Sequence, residues 1–448
     1  MNWLKIFSQP PQLEAVQGAD EVKRQYKYWR VRIFYSMYIG YVFFYLSRKS
    51  FTFAMPAMLV DLGYTKANLG VLASILYIMY GVSKFLSGIL SDRSNPRYFM
   101  AVGLILTGVF NILFGLSSHL VLFALFWGLN GWFQGWGWPP CARLLTHWYA
   151  TGERGTWWGI WSTSHNVGGA LIPILSAVLA QYYGWRMAMF FPGIICIGLG
   201  FFLMNRLRDT PESLGLPRIE KYAGDASLED QPEASKMSQW DLLKNYVFKN
   251  KYIWVLGFAY FLVGVIRTAI NDWGQLFLYE EKGFSLILAG SCLFAFELGG
   301  FFGSLASGWV SDRLFEGRRG PVNALFSFFA FVILAMIWLL PFTSAVFASL
   351  LLFAMGFFIF GPQMLGGLAA AELSHKDAAG TSTGFIGWFA YIGAAAAGFP
   401  CGKIAEIYGW SGFFVLLSMC AVLTIVLFIP LWNTKRYRPR VQDEIKTV

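Results

Sequence analysis

The segment SGILSDR (87–93) returns as SGWVSDR (307–313), 220 residues further on. Gly155-Thr156-x-x-Gly159 returns as Gly380-Thr381-x-x-Gly384, and Tyr183-Gly184-Trp185 returns as Tyr408-Gly409-Trp410, both 225 residues on. Each match is weak alone. Three in one order at nearly one offset divide the chain into two related halves. Gly88 and Gly308 permit close approach of helices, while Asp92–Arg93 and Asp312–Arg313 fall at helix ends. Charges so placed can pair across helices and hold one state of the protein closed, a gating role. The competing reading is that they mark topology and solvate a helix end.

The halves are filled with membrane-spanning sequence. Of 448 residues, 56% are hydrophobic and 13% are charged, against roughly 25% charged in a soluble domain. Too few charges remain to coat a surface in water, which excludes a soluble globular protein; the hydrophobicity excludes disorder. A spanning helix needs about 20 apolar residues. Twelve stretches qualify: about 33–54, 69–91, 98–117, 120–143, 156–180, 186–205, 253–279, 287–311, 322–341, 345–371, 379–401 and 411–433. We therefore expect an all-α polytopic membrane protein of twelve transmembrane helices in two six-helix pseudo-symmetric halves. The N-terminal half occupies 33–205 and the C-terminal half 253–433. A polar N-terminal segment (1–32), a mixed-charge linker (206–252) and a polar tail (434–448) complete the chain. Parallel six-span repeats mark transporters whose halves rock about a central site.

The basic residues test this layout. Of 35 Lys and Arg, 27 fall in segments on the side of the N-terminus, 4 in the opposite loops (Lys66, Arg186, Lys282, Lys403) and 4 within spans. The positive-inside rule then places both termini in the cytoplasm. The net charge of +10 is thus largely topological and does not imply nucleic acid. Residues 1–32 lack the short basic end and early apolar core of a signal peptide, so the first span is expected to insert uncleaved. Cys141, Cys196, Cys292, Cys401 and Cys420 lie in apolar runs without metal-type spacing; no disulfide, metal or cofactor is assigned. Gly299, Gly303 and Ser307 form a small-residue stripe suited to close helix packing.

Ionisable groups inside spans are costly and mark function by default. They are Arg48, Lys49, Lys84 and His165 in the first half and Arg267, Asp272 and Glu297 in the second. Leaving histidine aside, four cations face two acids. A surplus of two positive charges suits a phosphate monoester, which carries about −1.5 to −2 at neutral pH. Tyr41, Tyr45 and Arg48 share one helix face, as do Tyr77, Tyr80 and Lys84. Arginine offers a planar fork for phosphate, and one arginine per half, Arg48 and Arg267, lets both halves grip one anion. Lys49 lies about 100° around the helix from Arg48, and Asp272 about 140° from Arg267. With Glu297 they form a candidate ion network coupling the halves, or else a static buried pair. His165, with Trp161 and Ser162 before it, is either a core residue or part of a ligand wall.

These residues carry a resemblance. The cytoplasmic motifs resemble the major facilitator superfamily. FYLSRKSFTFAMP (44–56), YGVSKFLSGILSDRSNPRYFM (80–100), STSHNVGGALIP (162–173) and RTAINDWG (267–274) resemble the organophosphate:phosphate antiporters, in particular the bacterial hexose-phosphate branch of transporters and sensors. The similarity runs almost end to end. It implies one-for-one exchange of organic phosphate for inorganic phosphate in the bacterial inner membrane. By the same resemblance Arg48 and Arg267 take the phosphate-binding positions, Lys84 and His165 accessory positions, and Tyr41, Tyr45 and Tyr80 line the cavity. Lys49, Asp272 and Glu297 match the inter-half ion network. The chain departs from glycerol-phosphate members in having Gly264 where they carry tyrosine, a change expected to enlarge the cavity for a hexose. It also lacks a charged pair on the eleventh span, which leaves Tyr391 and Gln363 as polar candidates for the sugar.

The leading expectation is a secondary active transporter exchanging hexose phosphate, glucose 6-phosphate above all, for inorganic phosphate. One alternative is a receptor that senses external glucose 6-phosphate and signals through a partner kinase. Another is an antiporter of glycerol 3-phosphate or a further organophosphate. An enzyme is not expected: there is no P-loop, metal-ligand cluster or G-x-S-x-G elbow.

Overall fold

A computed structural model describes residues 7–8, 10–92, 94–223, 243–373 and 379–434. Among them the chain is helical, and the only strand pairing is an isolated bridge between Ser8 and Ser94. Two compact units emerge: Met1–Gly63 with Ile75–Pro232, and Tyr64–Ser74 with Glu233–Val448.

The first unit is built from α1 (Ala19–Leu62), most of α2 (Lys66–Asp92), α3 (Pro96–Leu116), α4 (Leu120–Gln134), α5 (Trp138–Trp148), α6 (Thr151–Tyr183), α7 (Trp185–Arg206) and the short α8 (Ile219–Ala223). At 44 residues α1 is about 66 Å long, twice the bilayer core, so its polar first turns continue the first span without a break. Gly63 ends it in the left-handed conformation, φ 66°, where a Cβ would be strained. Pro96 opens α3 behind an Asn95 cap that accepts from the Arg97 N–H. The fourth crossing is interrupted. Gly135-Trp136-Gly137 separates α4 from α5, because Pro139 and Pro140 lack the N–H a continuing helix requires and belong to a first turn. The break is pinned: Ser87 Oγ donates to Gly135 O (2.7 Å), Ser83 Oγ donates to Trp132 O, and Trp136 stacks on Phe99 at 4.3 Å.

Two stretches outside the spans are tied to this unit. Asn95 N donates to Phe7 O (2.7 Å) and Val16 N to Gly215 O (2.8 Å). Beyond α7 the chain stays docked: Arg143 makes a two-pronged bond to Asp209 (2.9 and 3.2 Å), Trp148 Nε1 donates to Asp209 O, and Tyr222 stacks on Tyr26 at 3.9 Å.

The second unit holds α9 (Lys251–Glu280), α10 (Leu286–Arg313), α11 (Arg319–Leu339), α12 (Ala345–Glu372), α13 (Ala379–Ala396) and α14 (Phe399–Phe428). The expected small-residue stripe is the seam between α10 and α12. A Cβ on Gly299, Gly303 or Gly356 would fall 2.0, 1.9 and 1.9 Å from the carbonyl oxygens of Phe353, Phe357 and Phe296. The backbones touch, which is how membrane helices gain packing energy when lipid is as apolar as leucine.

Nine stretches among the described residues are long and apolar enough to cross a membrane. The last of them, Gly384–Leu431, has 48 residues, about 72 Å of helix, and divides at Gly409 (φ 66°, ψ −170°) into two crossings. With α1, which carries Arg48 and Lys49, and the broken α4–α5 crossing, the total agrees with the twelve expected.

The repeated Tyr-Gly-Trp motif receives its structural meaning here. Gly184 has φ 82° and ψ 158° between α6 and α7, and Gly409 has φ 66° at the matching place in the second unit. Each following indole N–H donates to a carboxylate at the end of the unit's first helix: Trp185 to Asp61 at 2.9 Å, Trp410 to Glu280 at 3.0 Å. A cation joins each carboxylate, Arg186 at Asp61 and Lys66 at Glu280.

Candidate substrate site

In the first unit α1, α2, α4–α5 and α6 bring the predicted residues together. Arg48 is 7% exposed. Its guanidinium lies over the Tyr80 ring at 4.1 Å and the Tyr45 ring at 5.1 Å, and its Nε donates to Gln134 Oε1 at 3.3 Å. Lys84 approaches the same Tyr80 ring at 5.9 Å and the Trp138 ring at 5.1 Å. His165 packs beside Tyr45, ring centroids 5.8 Å apart, and Tyr41 beside Trp161 at 4.9 Å. Arg48, Lys84, Tyr41, Tyr45, Tyr80 and His165 therefore share one constellation, a cation pair held on ring faces whose quadrupoles stabilise positive charge.

The break after α4 explains the geometry. Gln134 is the last residue of α4 and Trp138 the first of α5. Pinning Gly135 to α2 through Ser87 sets one against Arg48 and the other against Lys84. Gln134 Nε2 also donates to Ser47 Oγ (3.0 Å) and to Asn130 Oδ1 (3.4 Å), and Asn130 Nδ2 donates to Asn111 Oδ1 (3.1 Å). This buried amide chain orients the Gln134 carbonyl toward Arg48. Sequence reading passed over Gln134 and Trp138. Their signal was two amides at i and i+4, Asn130 and Gln134, in an otherwise apolar span, where a polar group needs a partner.

The Tyr77 hydroxyl accepts from Lys49 Nζ at 2.9 Å, with the ammonium 5.6 Å from the ring centroid. The divergence of Arg48 and Lys49 around α1 is real, and each cation has its own tyrosine of α2.

In the second unit Arg267 is half-buried on α9, with its guanidinium 4.4 Å from the Phe360 centroid of α12. Phe360 is held edge-on by Phe296 at 5.7 Å and rests over Gly300, where a Cβ would meet its ring at 2.7 Å. Asp272 on α9 and Glu297 on α10 are both buried. Tyr391 is half-buried on α13; Gln363, half-buried on α12, accepts through its backbone carbonyl oxygen from the Tyr260 hydroxyl. A Cβ on Gly264 would sit 2.8 Å from Ala390 O, so this glycine serves the close contact of α9 with α13.

Of the gating motif, Gly308 lies on α10 with Met364 3.6 Å from where its Cβ would be, and Arg313 is exposed at the end of that helix. Arg93 lies outside the described residues, as do Gly88, Asp92 and Asp312 beyond their helical backbone. The five cysteines are buried thiols, and no metal-type cluster occurs among the described residues.

Residues 37–398 match the Major Facilitator Superfamily. The chain is 56% identical to a probable hexose phosphate transport protein of Chlamydia trachomatis, over 96% of this chain and 97% of that one. It is 50% identical to the membrane sensor protein UhpC of Escherichia coli, over 97% and 99%. Among solved structures, a bacterial homolog of the human lysosomal transporter Spinster superposes with a TM-score of 0.77 at 14% identity, covering 92% of this chain and 99% of that one; this last likeness speaks to fold alone. The chain is a multi-pass membrane protein and not an enzyme, and it belongs to the major facilitator superfamily, in its organophosphate:phosphate antiporter branch.

Proposed function

We propose that this protein is a secondary transporter that carries hexose phosphate, glucose 6-phosphate above all, in exchange for inorganic phosphate. The observation that carries the reading is Arg48, buried over Tyr80 beside Lys84. A guanidinium and an ammonium on one wall favour a dianionic phosphate over a neutral sugar. Arg267 of the second unit supplies the other guanidinium, and His165 and Tyr391 contribute polar contacts. Lys49, Asp272 and Glu297 balance charge without binding substrate, and the 87–93 and 307–313 motifs gate access. The similarity to hexose-phosphate transport proteins supports a sugar phosphate as the cargo.

Purified protein in liposomes preloaded with phosphate is expected to accumulate labelled glucose 6-phosphate, and to do so faster than glycerol 3-phosphate. Absence of exchange by well-inserted protein would refute transport.

A second reading rests on the 50% identity to a membrane sensor: binding of the same ligand with signalling through a partner kinase. Ligand binding without exchange, joined to ligand-dependent activation of a co-reconstituted histidine kinase, would favour it.

A further inference from the structure

An open recess of about 370 Å³ lies where the first turns of α1 meet the end of α7. Arg24, Lys27, Arg32 and Arg206 line it, with Tyr28 and Tyr35 among them. None of the lining residues is acidic. The nearest carboxylate on α1, Glu21, is engaged by Arg24 at 2.7 Å and by Gln25 at 2.8 Å. Further positive charge stands behind: Arg208 lies over the Trp29 ring at 4.8 Å, and Arg97 donates to Met204 O. Burial first, then the charges of Arg97 and Arg32, hold the Arg208 guanidinium below its ordinary value. The cations are crowded, and no acidic residue is among those lining the recess.

The place is informative. Ile33 begins the apolar part of α1 and Arg206 ends α7, and six crossings bring these two ends to one membrane face. Arg32 is fixed there, donating to Asn205 Oδ1 (2.9 Å) and to the Tyr28 hydroxyl, and the Tyr35 and Phe202 rings lie 6.3 Å apart just inside. Cations at headgroup level above an aromatic wall match an amphiphile that is anionic at one end and apolar at the other. A soluble phosphate would use only the first feature.

We propose that this recess binds the phosphate headgroup of an anionic phospholipid, with an acyl chain along Tyr35 and Phe202. The site is separate from the substrate constellation and is independent of what the protein transports.

The test is native mass spectrometry of the full-length protein, released from micelles with a defined mixture of cardiolipin, phosphatidylglycerol and phosphatidylcholine. Wild type is expected to retain the anionic lipids selectively. Near a membrane surface each Lys or Arg contributes about 1 kcal/mol to such binding. The Lys27→Ala/Arg206→Ala variant should therefore bind about thirtyfold more weakly, about 2 kcal/mol at roughly 1.4 kcal/mol per tenfold. Lys251→Ala, an exposed cation of the second unit, should bind as wild type does. If the first variant unfolds, Arg24→Ala/Lys27→Ala, confined to exposed first turns of α1, repeats the measurement. Equal retention by the folded variant and wild type overturns the proposal. So does equal retention of phosphatidylcholine, or full displacement of lipid by inorganic phosphate, which would make the recess a soluble-anion site.

Discussion

At the scale of single residues the substrate constellation depends on what arginine does and lysine cannot. A guanidinium can lie flat on Tyr80 while keeping its in-plane N–H groups for an anion; an ammonium is a hydrated point. Arg48→Lys and Arg267→Lys are each expected to lower phosphate exchange roughly ten- to a hundredfold, the loss of one hydrogen bond to a charged group at about 1.5–3 kcal/mol. Near-normal exchange by both would sink the assigned phosphate contacts. Gln134 gives a sharper test because sequence reading did not propose it. Gln134→Leu removes the acceptor that aims Arg48 and should raise KM about tenfold. Gln134→Glu places a carboxylate on the guanidinium and should abolish uptake; unchanged KM in the leucine variant would reduce Gln134 to a packing residue. The ionisable groups within spans were legible because so few charges interrupt them. Their partners were less so. The pairing of Lys49 with Tyr77 depends on the packing angle of α1 and α2, and no spacing along one helix encodes that.

At the scale of elements the repeat is carried by turns as much as by helices. Gly184 and Gly409 adopt positive φ with extended ψ, a region that costs other residues about 1–3 kcal/mol. Gly184→Ala and Gly409→Ala should each lower the unfolding temperature in detergent. Gly198→Ala, where φ is ordinary and nothing lies within 4 Å, should not; equal effects at all three would refute the backbone argument. The Arg143–Asp209 bond answers to pH. Burial pushes the Asp209 carboxyl above the usual carboxylate range, and the Arg143 guanidinium pulls it partway back. A folded pKa above the unfolded one means the folded state holds the extra proton between the two, so this group's contribution falls as pH rises through that window. Arg143→Ala removes the opposing charge and is expected to cost about 3 kcal/mol at neutral pH. The deficit should shrink as the pH falls through the raised folded pKa and the carboxyl becomes neutral. Unfolding curves across pH measure it, and a pH-independent deficit would mean that the bond contributes through packing alone.

At the scale of the whole molecule the distribution of Lys and Arg predicts orientation. All five native cysteines are buried, so replacing them with serine leaves a background for single exposed cysteines. In right-side-out vesicles a membrane-impermeant maleimide is expected to label Lys282→Cys, at a partly exposed position, but not Lys221→Cys, at an exposed one. The reverse pattern would put the termini outside.

The sequence by itself determined the class of fold and singled out the ionisable groups within the spans. Each follows from a one-dimensional fact: a bilayer requires runs of apolar residues, tolerates few charges among them, and sorts basic loops to one side. Only the tertiary structure decided which ring each cation rests on, that the fourth crossing breaks at Gly135–Gly137 to deliver Gln134 and Trp138, and that Gly264 serves a helix contact. Those outcomes depend on crossing angles and close approaches between helices far apart in the chain. Side-chain shape on both partners sets them together, so neither helix announces them alone.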